Sequence, residues 1–110
     1  MTLFEKIIAR QIPADIVYED DETIAFRDIS PRAPVHVLVC PKKAIPTLSD
    51  SDDGDAELLG KLMRSSARVA KLEGLVDYRV VINNGAGAGQ SVFHLHVHVM
   101  GGRTLNWPPG

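Results

Sequence analysis

The chain has 110 residues, 45% of them hydrophobic, and a formal net charge of −2. That length suits one domain spanning residues 1–110, whose folding buries about two-thirds of the surface that the unfolded chain exposes, so self-association would add useful burial. The composition argues against wholesale disorder and the mild acidity against a nucleic-acid partner. With no apolar run near the ~20 residues of a membrane span and no apolar stretch behind a basic start, the expectation is a cytoplasmic protein without a membrane partner.

Thr2-Leu3-Phe4-Glu5 has the form of a capping box and predicts a short helix through about Arg10, stopped before Pro13. Residues 16–19 and 23–28 read as two strands joined by Asp20-Asp21-Glu22, a solvated acidic turn. Ser30-Pro31-Arg32-Ala33-Pro34 is a rigid loop, because each proline fixes its own φ and restricts its predecessor. Residues 35–40 form the next strand, an apolar run interrupted only by His36, and Cys40 within it reads as a small buried apolar residue. As the single cysteine it excludes an internal disulfide and a cysteine-based zinc cage. Residues 49–55 are acidic and polar, which suits the start of a helix running to about Glu73. Leu58, Leu62, Val69 and Leu72, with Met63 beside them, recur at helical spacing as its core stripe, and Gly74 stops it. Residues 78–83 and 93–100 read as strands flanking Asn84-Gly85-Ala86-Gly87-Ala88-Gly89-Gln90, a glycine-rich loop. The tail, residues 101–110, carries Asn106-Trp107-Pro108-Pro109, which no regular element explains. Five strands and two helices predict an α+β fold, a five-stranded antiparallel sheet with one long and one short helix.

His94, His96 and His98 alternate with Leu95, Val97 and Val99, so in a strand the three imidazoles share one face and the aliphatics the other. Metal binding and nucleophilic catalysis compete to explain that face, beside a purely structural role. At about 3.3 Å per residue the outer two histidines stand roughly 13 Å apart. With zinc bonds of about 2.0–2.1 Å, two of the three could share a metal, but all three could reach one only in a strained, nearly linear array, unlike zinc's tetrahedral preference. Nucleophilic catalysis suits them better: one imidazole, oriented at one ring nitrogen, attacks with the other while its neighbours hold substrate or move protons. The glycines at 85, 87 and 89 let backbone amides approach an anion, and the loop feeds through Gln90-Ser91 into the histidines, which places phosphate donors beside a nucleophile. No Gly-Lys-Ser/Thr follows, hence no P-loop and no evident magnesium site. His36, the only other histidine, is expected to abut the triad as a supporting partner.

Together these features resemble the histidine triad (HIT) superfamily, marked by His-x-His-x-His with apolar residues between. More closely the chain resembles its nucleotide-binding branch, the purine nucleoside phosphoramidases. Phe4-Glu5-Lys6-Ile7-Ile8, Ala25-Phe26-Arg27-Asp28-Ile29-Ser30-Pro31, Pro41-Lys42-Lys43, Gly89-Gln90-Ser91-Val92-Phe93-His94, Gly101-Gly102-Arg103 and Trp107-Pro108-Pro109-Gly110 carry the likeness, which covers nearly the whole chain. The resemblance implies a HIT-like fold, with sheets joined across a homodimer and residues 101–110 near the partner's active site, where Trp107 would influence specificity. It implies that His96 attacks the α-phosphorus of a nucleoside 5′-phosphoramidate, an amine leaves, and water releases the nucleoside monophosphate from a nucleotidyl-histidine. His98 and the Gln90-Ser91 region would contact phosphate, Ser91 or His98 would lie near the leaving amine, and His94 with His36 would form a supporting relay. Asp28 would accept from the ribose hydroxyls, Ile29, Phe26 and Ile12 would wall the purine, and Asn83 and Gly89 would complete the phosphate cradle. The loop is less polar than in many relatives, Ala44 stands where a histidine is common, and the N-terminal zinc-binding cysteines of some relatives are absent, so neither metal nor cofactor is carried over. Alternative activities are dinucleoside polyphosphate hydrolysis, a nucleotide-binding regulatory or scaffold role with vestigial catalysis, and, last, a zinc-binding module.

Overall fold

The computed structural model describes all 110 residues. Helix α1 (Leu3–Ile8) begins on the predicted capping box: the Thr2 hydroxyl accepts from the Glu5 amide at 3.1 Å, and the Glu5 carboxylate accepts from the Thr2 amide at 3.0 Å. It ends two residues before Arg10 because Arg10 takes a left-handed turn (φ 60°). The Arg10 and Gln11 amides then close back on the carbonyls of Ile7 and Lys6. Strands β1 (Ile16–Glu19) and β2 (Thr23–Arg27) make the predicted hairpin, whose acidic turn is organised by one of its own residues. The Asp20 carboxylate accepts from the Glu22 and Thr23 amides and from the Thr23 hydroxyl.

Strand β3 (Val35–Pro41), helix α2 (Ala56–Leu72), β4 (Tyr78–Val81) and β5 (Val97–Gly101) complete the fold, and the sheet order is β1-β2-β3-β5-β4 with every neighbouring pair antiparallel. Alternation then sorts the side chains. Ala25, Val37, Val39, Val97 and Val99 face α2 and close a core with Leu62, Val69 and Ala70. Ile24, Phe26, Leu38 and Cys40 point the other way, where Phe4 and Ile7 of the short α1 cover only one end. A fully packed face and a half-covered face result, and the uncovered part of the second is a cleft. Cys40 is completely buried there, and burial pushes its thiol up to about 12.

Two predicted details shift. Leu62 and Val69 are fully buried, but Met63 and Leu72 are exposed. The buried line instead runs through Ser65, Ser66 and Ala70, whose small side chains let the helix approach the sheet. The polar atoms this buries are paired: Ser65 Oγ with Thr23 Oγ1 at 2.9 Å, and Ser66 Oγ donating to the Leu62 carbonyl at 2.8 Å. Gly74 stops α2 as expected, at φ 74°, with the Leu75 amide donating to Ala70 and the Gly74 amide to Lys71. The last two strands are shorter than predicted, since residues 93–96 run outside the ladder and β4 stops at Val81. No helix is long and apolar enough to cross a membrane.

Candidate active site

Strand register brings distant residues into rows across the open face. Phe26 pairs with Leu38, Leu38 with His98 and His98 with Val81, while His36 pairs with Met100 and Met100 with Arg79. Asp28 continues β2 past its end and donates its amide to the His36 carbonyl, so its side chain stands beside His36.

Hydrogen bonds fix the proton positions in turn, because an amide only donates and a carbonyl only accepts. His36 Nδ1 accepts from the Arg32 amide at 3.0 Å, so the neutral ring carries its proton on Nε2. That Nε2–H donates to His98 Nδ1 at 2.8 Å, with the Asp28 carboxylate 3.5 Å away, so neutral His98 carries its proton on Nε2. His96 Nδ1–H donates to the His94 carbonyl at 2.7 Å, which leaves the Nε2 lone pair of His96 free. The rings of His96 and His98 lie 5.1 Å apart, so a bare nucleophilic nitrogen and an N–H donor stand side by side.

Burial favours the neutral forms. It is the main cause that lowers the pKa of His36 and of His96, and it brings His98 down to about 4 with the help of His96 and His36. Phe4 reinforces this by meeting the His96 ring edge-on at 4.9 Å and 83°.

His94 departs from its expected place in a relay. Its buried ring donates Nε2–H to the Pro41 carbonyl at 2.7 Å and its Nδ1 has no partner, so the side chains in contact with His36 are Asp28 and His98, not His94. The cause is the early end of the ladder: His94 and His96 precede β5 and are not spaced along an extended strand. The three triad rings are therefore not spread along one strand, and the roughly 13 Å expected of strand spacing does not separate them. The cluster that does lie within ligand reach, Asp28, His36 and His98 within 4.8 Å of one another, has its two facing ring nitrogens already joined by a hydrogen bond. A lone pair and a proton spent on each other serve proton relay better than metal coordination.

Above these residues lies a cleft of about 930 Å³. Ile12 and Phe26 line it as predicted, and so do Phe4 and Ile7, which sequence reasoning did not assign to the site. Their i, i+3 spacing marked an apolar helix face, but nothing local showed that the face lies against His96. Ile29 sits at the rim, 94% exposed. Asn83, Gly89, Ser91, His96 and His98 also line it, and Gly89 takes φ 96°, which favours glycine. Gln90 does not reach the cleft. It is buried, with Oε1 accepting from the Gly85 amide at 2.8 Å and Nε2 donating to the carbonyls of Pro46 and Val92, so it clamps the glycine loop instead of touching phosphate. Trp107 does not line the cleft of its own chain. It is 80% exposed, with the Arg79 guanidinium 5.8 Å over its ring.

Comparison with known proteins agrees with this geometry. A family profile described as the HIT domain matches residues 9–105. An uncharacterized HIT-like protein of Synechocystis sp. is 56% identical over 110 residues, covering 99% of this chain and 96% of the relative. The adenylylsulfatase HINT1 of Arabidopsis thaliana is 48% identical over 112 residues, covering 99% of this chain and 76% of the relative. The crystal structure of a HIT family hydrolase from Legionella pneumophila Philadelphia 1 superposes with a TM-score of 0.97 at 47% identity, covering 100% of both chains.

Proposed function

The chain belongs to the HIT domain family, and from that premise we propose that it hydrolyses purine nucleoside 5′-phosphoramidates to a nucleoside monophosphate and an amine. The observation that carries the proposal is His96 held as a neutral ring, Nδ1–H on the His94 carbonyl, with its Nε2 lone pair open to the cleft beside the Nε2–H of His98. Nε2 of His96 attacks the α-phosphorus, the P–N bond to the amine breaks, and the amine takes the His98 proton as it leaves. Water, giving a proton back to His98, then forms the new P–O bond and displaces His96. Asp28 receives the ribose hydroxyls while supporting His36, and Asn83, Gly89 and Ser91 receive the phosphate oxygens. Phe26 and Ile12, joined by Phe4 and Ile7, take the purine. The name of the Arabidopsis relative supports an adenylyl group as the portion carried.

The same premise suggests a homodimer joined along β4, with Trp107 completing the partner's site. The tail supports this: it reaches β4, where Arg79 donates to the Asn106 carbonyl at 2.9 Å, and Trp107, the next residue, is exposed.

Turnover of adenosine 5′-phosphoramidate tests the activity. Wild type hydrolyses it, and His96→Ala loses activity on the order of a thousandfold or more. Equal rates in the two proteins would sink the assignment. A higher kcat/KM on a dinucleoside polyphosphate would move it to that sister reaction, and tight nucleotide binding without turnover would leave a binding protein.

A further inference from the structure

Five of the twelve lysines and arginines have a carboxylate within 4.0 Å. Arg10 and Lys42 pair with Glu19, Lys43 with Asp55, and Lys61 with Glu22. The cleft has three arginines in its lining, Arg27, Arg32 and Arg79, and of these only Arg27 is paired, with Asp15 and Glu73. Asp28, the other acid in the lining, is occupied by His36 and by the Ser30 amide. Arg32 and Arg79 therefore present positive charge to the cleft with no carboxylate within 4.0 Å.

Sheet order shows which part of a substrate Arg79 would face. If the nucleotide lies as proposed above, the base rests against Phe26 of β2 and against α1, the ribose meets Asp28 at the end of β2, and the phosphorus sits at His98 on β5. The next strand in the order, and the last, is β4. Its Arg79 pairs with Met100, which pairs with His36, so the arginine stands on the site face one row from His98 and on the far side from the base. The portion of the substrate that extends past the phosphorus is the leaving amine, which takes the His98 proton. Arg79 is also pre-oriented: its guanidinium lies over the Trp107 ring, and one nitrogen donates to the Asn106 carbonyl at 2.9 Å. Other N–H donors of the fork are left for a ligand.

We propose that Arg79 is a specificity residue that binds an anionic substituent on the leaving amine. The substrates served best are then nucleoside phosphoramidates whose amine carries a carboxylate, the class formed when an amino acid is joined to phosphorus through nitrogen. This rests on the phosphoramidase reading. The reaction is unchanged by it: the P–N bond breaks, and the carboxylate-bearing amine departs with the His98 proton.

The test uses adenosine 5′-phosphoramidates of β-alanine, of its uncharged amide and of the matching diamine, alongside the unsubstituted phosphoramidate. Wild type should show kcat/KM roughly tenfold higher for the carboxylate than for the amide, the size of one charge-assisted hydrogen bond. In Arg79→Met the ratio should fall to near one, Arg79→Lys should recover part of it, and Arg79→Glu should turn the preference toward the diamine. A purely structural role for Arg79 in holding the tail would lower all rates together and leave the ratio intact, which overturns the proposal. A wild-type enzyme that turns over the unsubstituted compound but shows no carboxylate preference, or prefers the diamine, overturns it alone. Failure to turn over any of the four overturns the phosphoramidase reading and this inference with it.

Discussion

Near neutral pH a free imidazole divides between two protonation states, and attack on phosphorus requires the neutral one. The site secures it through burial and through acceptors that hold each proton at a stated nitrogen, as at His96. The alternating histidines were legible in the sequence as a reactive cluster. The division of labour among them was not, because it depends on the Pro41 carbonyl and the Arg32 amide, backbone groups with no residue signature. Gln90 eluded the sequence for the same reason, since its partners are main-chain atoms of the loops it ties together. The depressed histidines have a consequence for stability. His98 titrates at about 4 in the folded chain against 6.5 ordinarily, so between those values the unfolded chain binds a proton that the native one refuses. Stability contributed by this ring is present above about pH 6.5 and is lost as pH falls toward 4. With its partial exposure discounted, the loss is on the order of 1–2 kcal/mol. Urea midpoints measured from pH 7 to 4.5 should decline in the wild type and decline less steeply in His98→Gln. An equal or steeper decline in the variant would contradict this account.

At the scale of the element, α1 is short, yet Phe4 and Ile7 close one end of the cleft and Phe4 meets His96 edge-on. Six residues make too little helix to persist by propensity, so its position depends on the capping box and on packing. The element was legible because a capping box is local chemistry. Its end was less so, because Arg10 adopts a left-handed turn that glycine usually fills. The shortened β5 has a similar origin: residues 93–96 keep the alternation of a strand, but what they bond is outside the ladder, as when the Leu95 amide donates to the Ile45 carbonyl at 2.7 Å. Thr2→Ala removes one half of the reciprocal cap and should cost about 1 kcal/mol of stability. Because the proposed function sets this helix against the base, KM for the nucleotide should rise more than kcat falls, and Thr2→Ser should restore both. Denaturant titration with steady-state kinetics on the three proteins checks this, and an unchanged KM in a destabilised Thr2→Ala would detach α1 from the site.

At the scale of the whole molecule, the sheet ends in strands of unlike character. Outer strand β1 is closed in by charged pairs, Arg10 and Lys42 with Glu19, whereas outer strand β4 presents Tyr78 and Val80 to solvent, near the exposed Val76. A bare apolar edge invites pairing with another chain, and proteins that stay monomeric protect such edges with charge, proline or a covering segment. Here the covering would be β4 of a second copy, and a two-fold axis would satisfy both edges at once. The sequence alone gave the self-association motive, a small core, but could not say which edge was open, since strand order is set by long-range register. Wild type should therefore sediment at roughly twice its chain mass of 12.0 kDa. Val80→Lys, which puts a charge on that edge, should shift the species to the monomer. If Trp107 works on the partner's site, the monomer should also lose activity in the same concentration range in which the dimer dissociates. A wild type that remains monomeric at micromolar concentration with full activity would show that each chain's cleft is complete by itself.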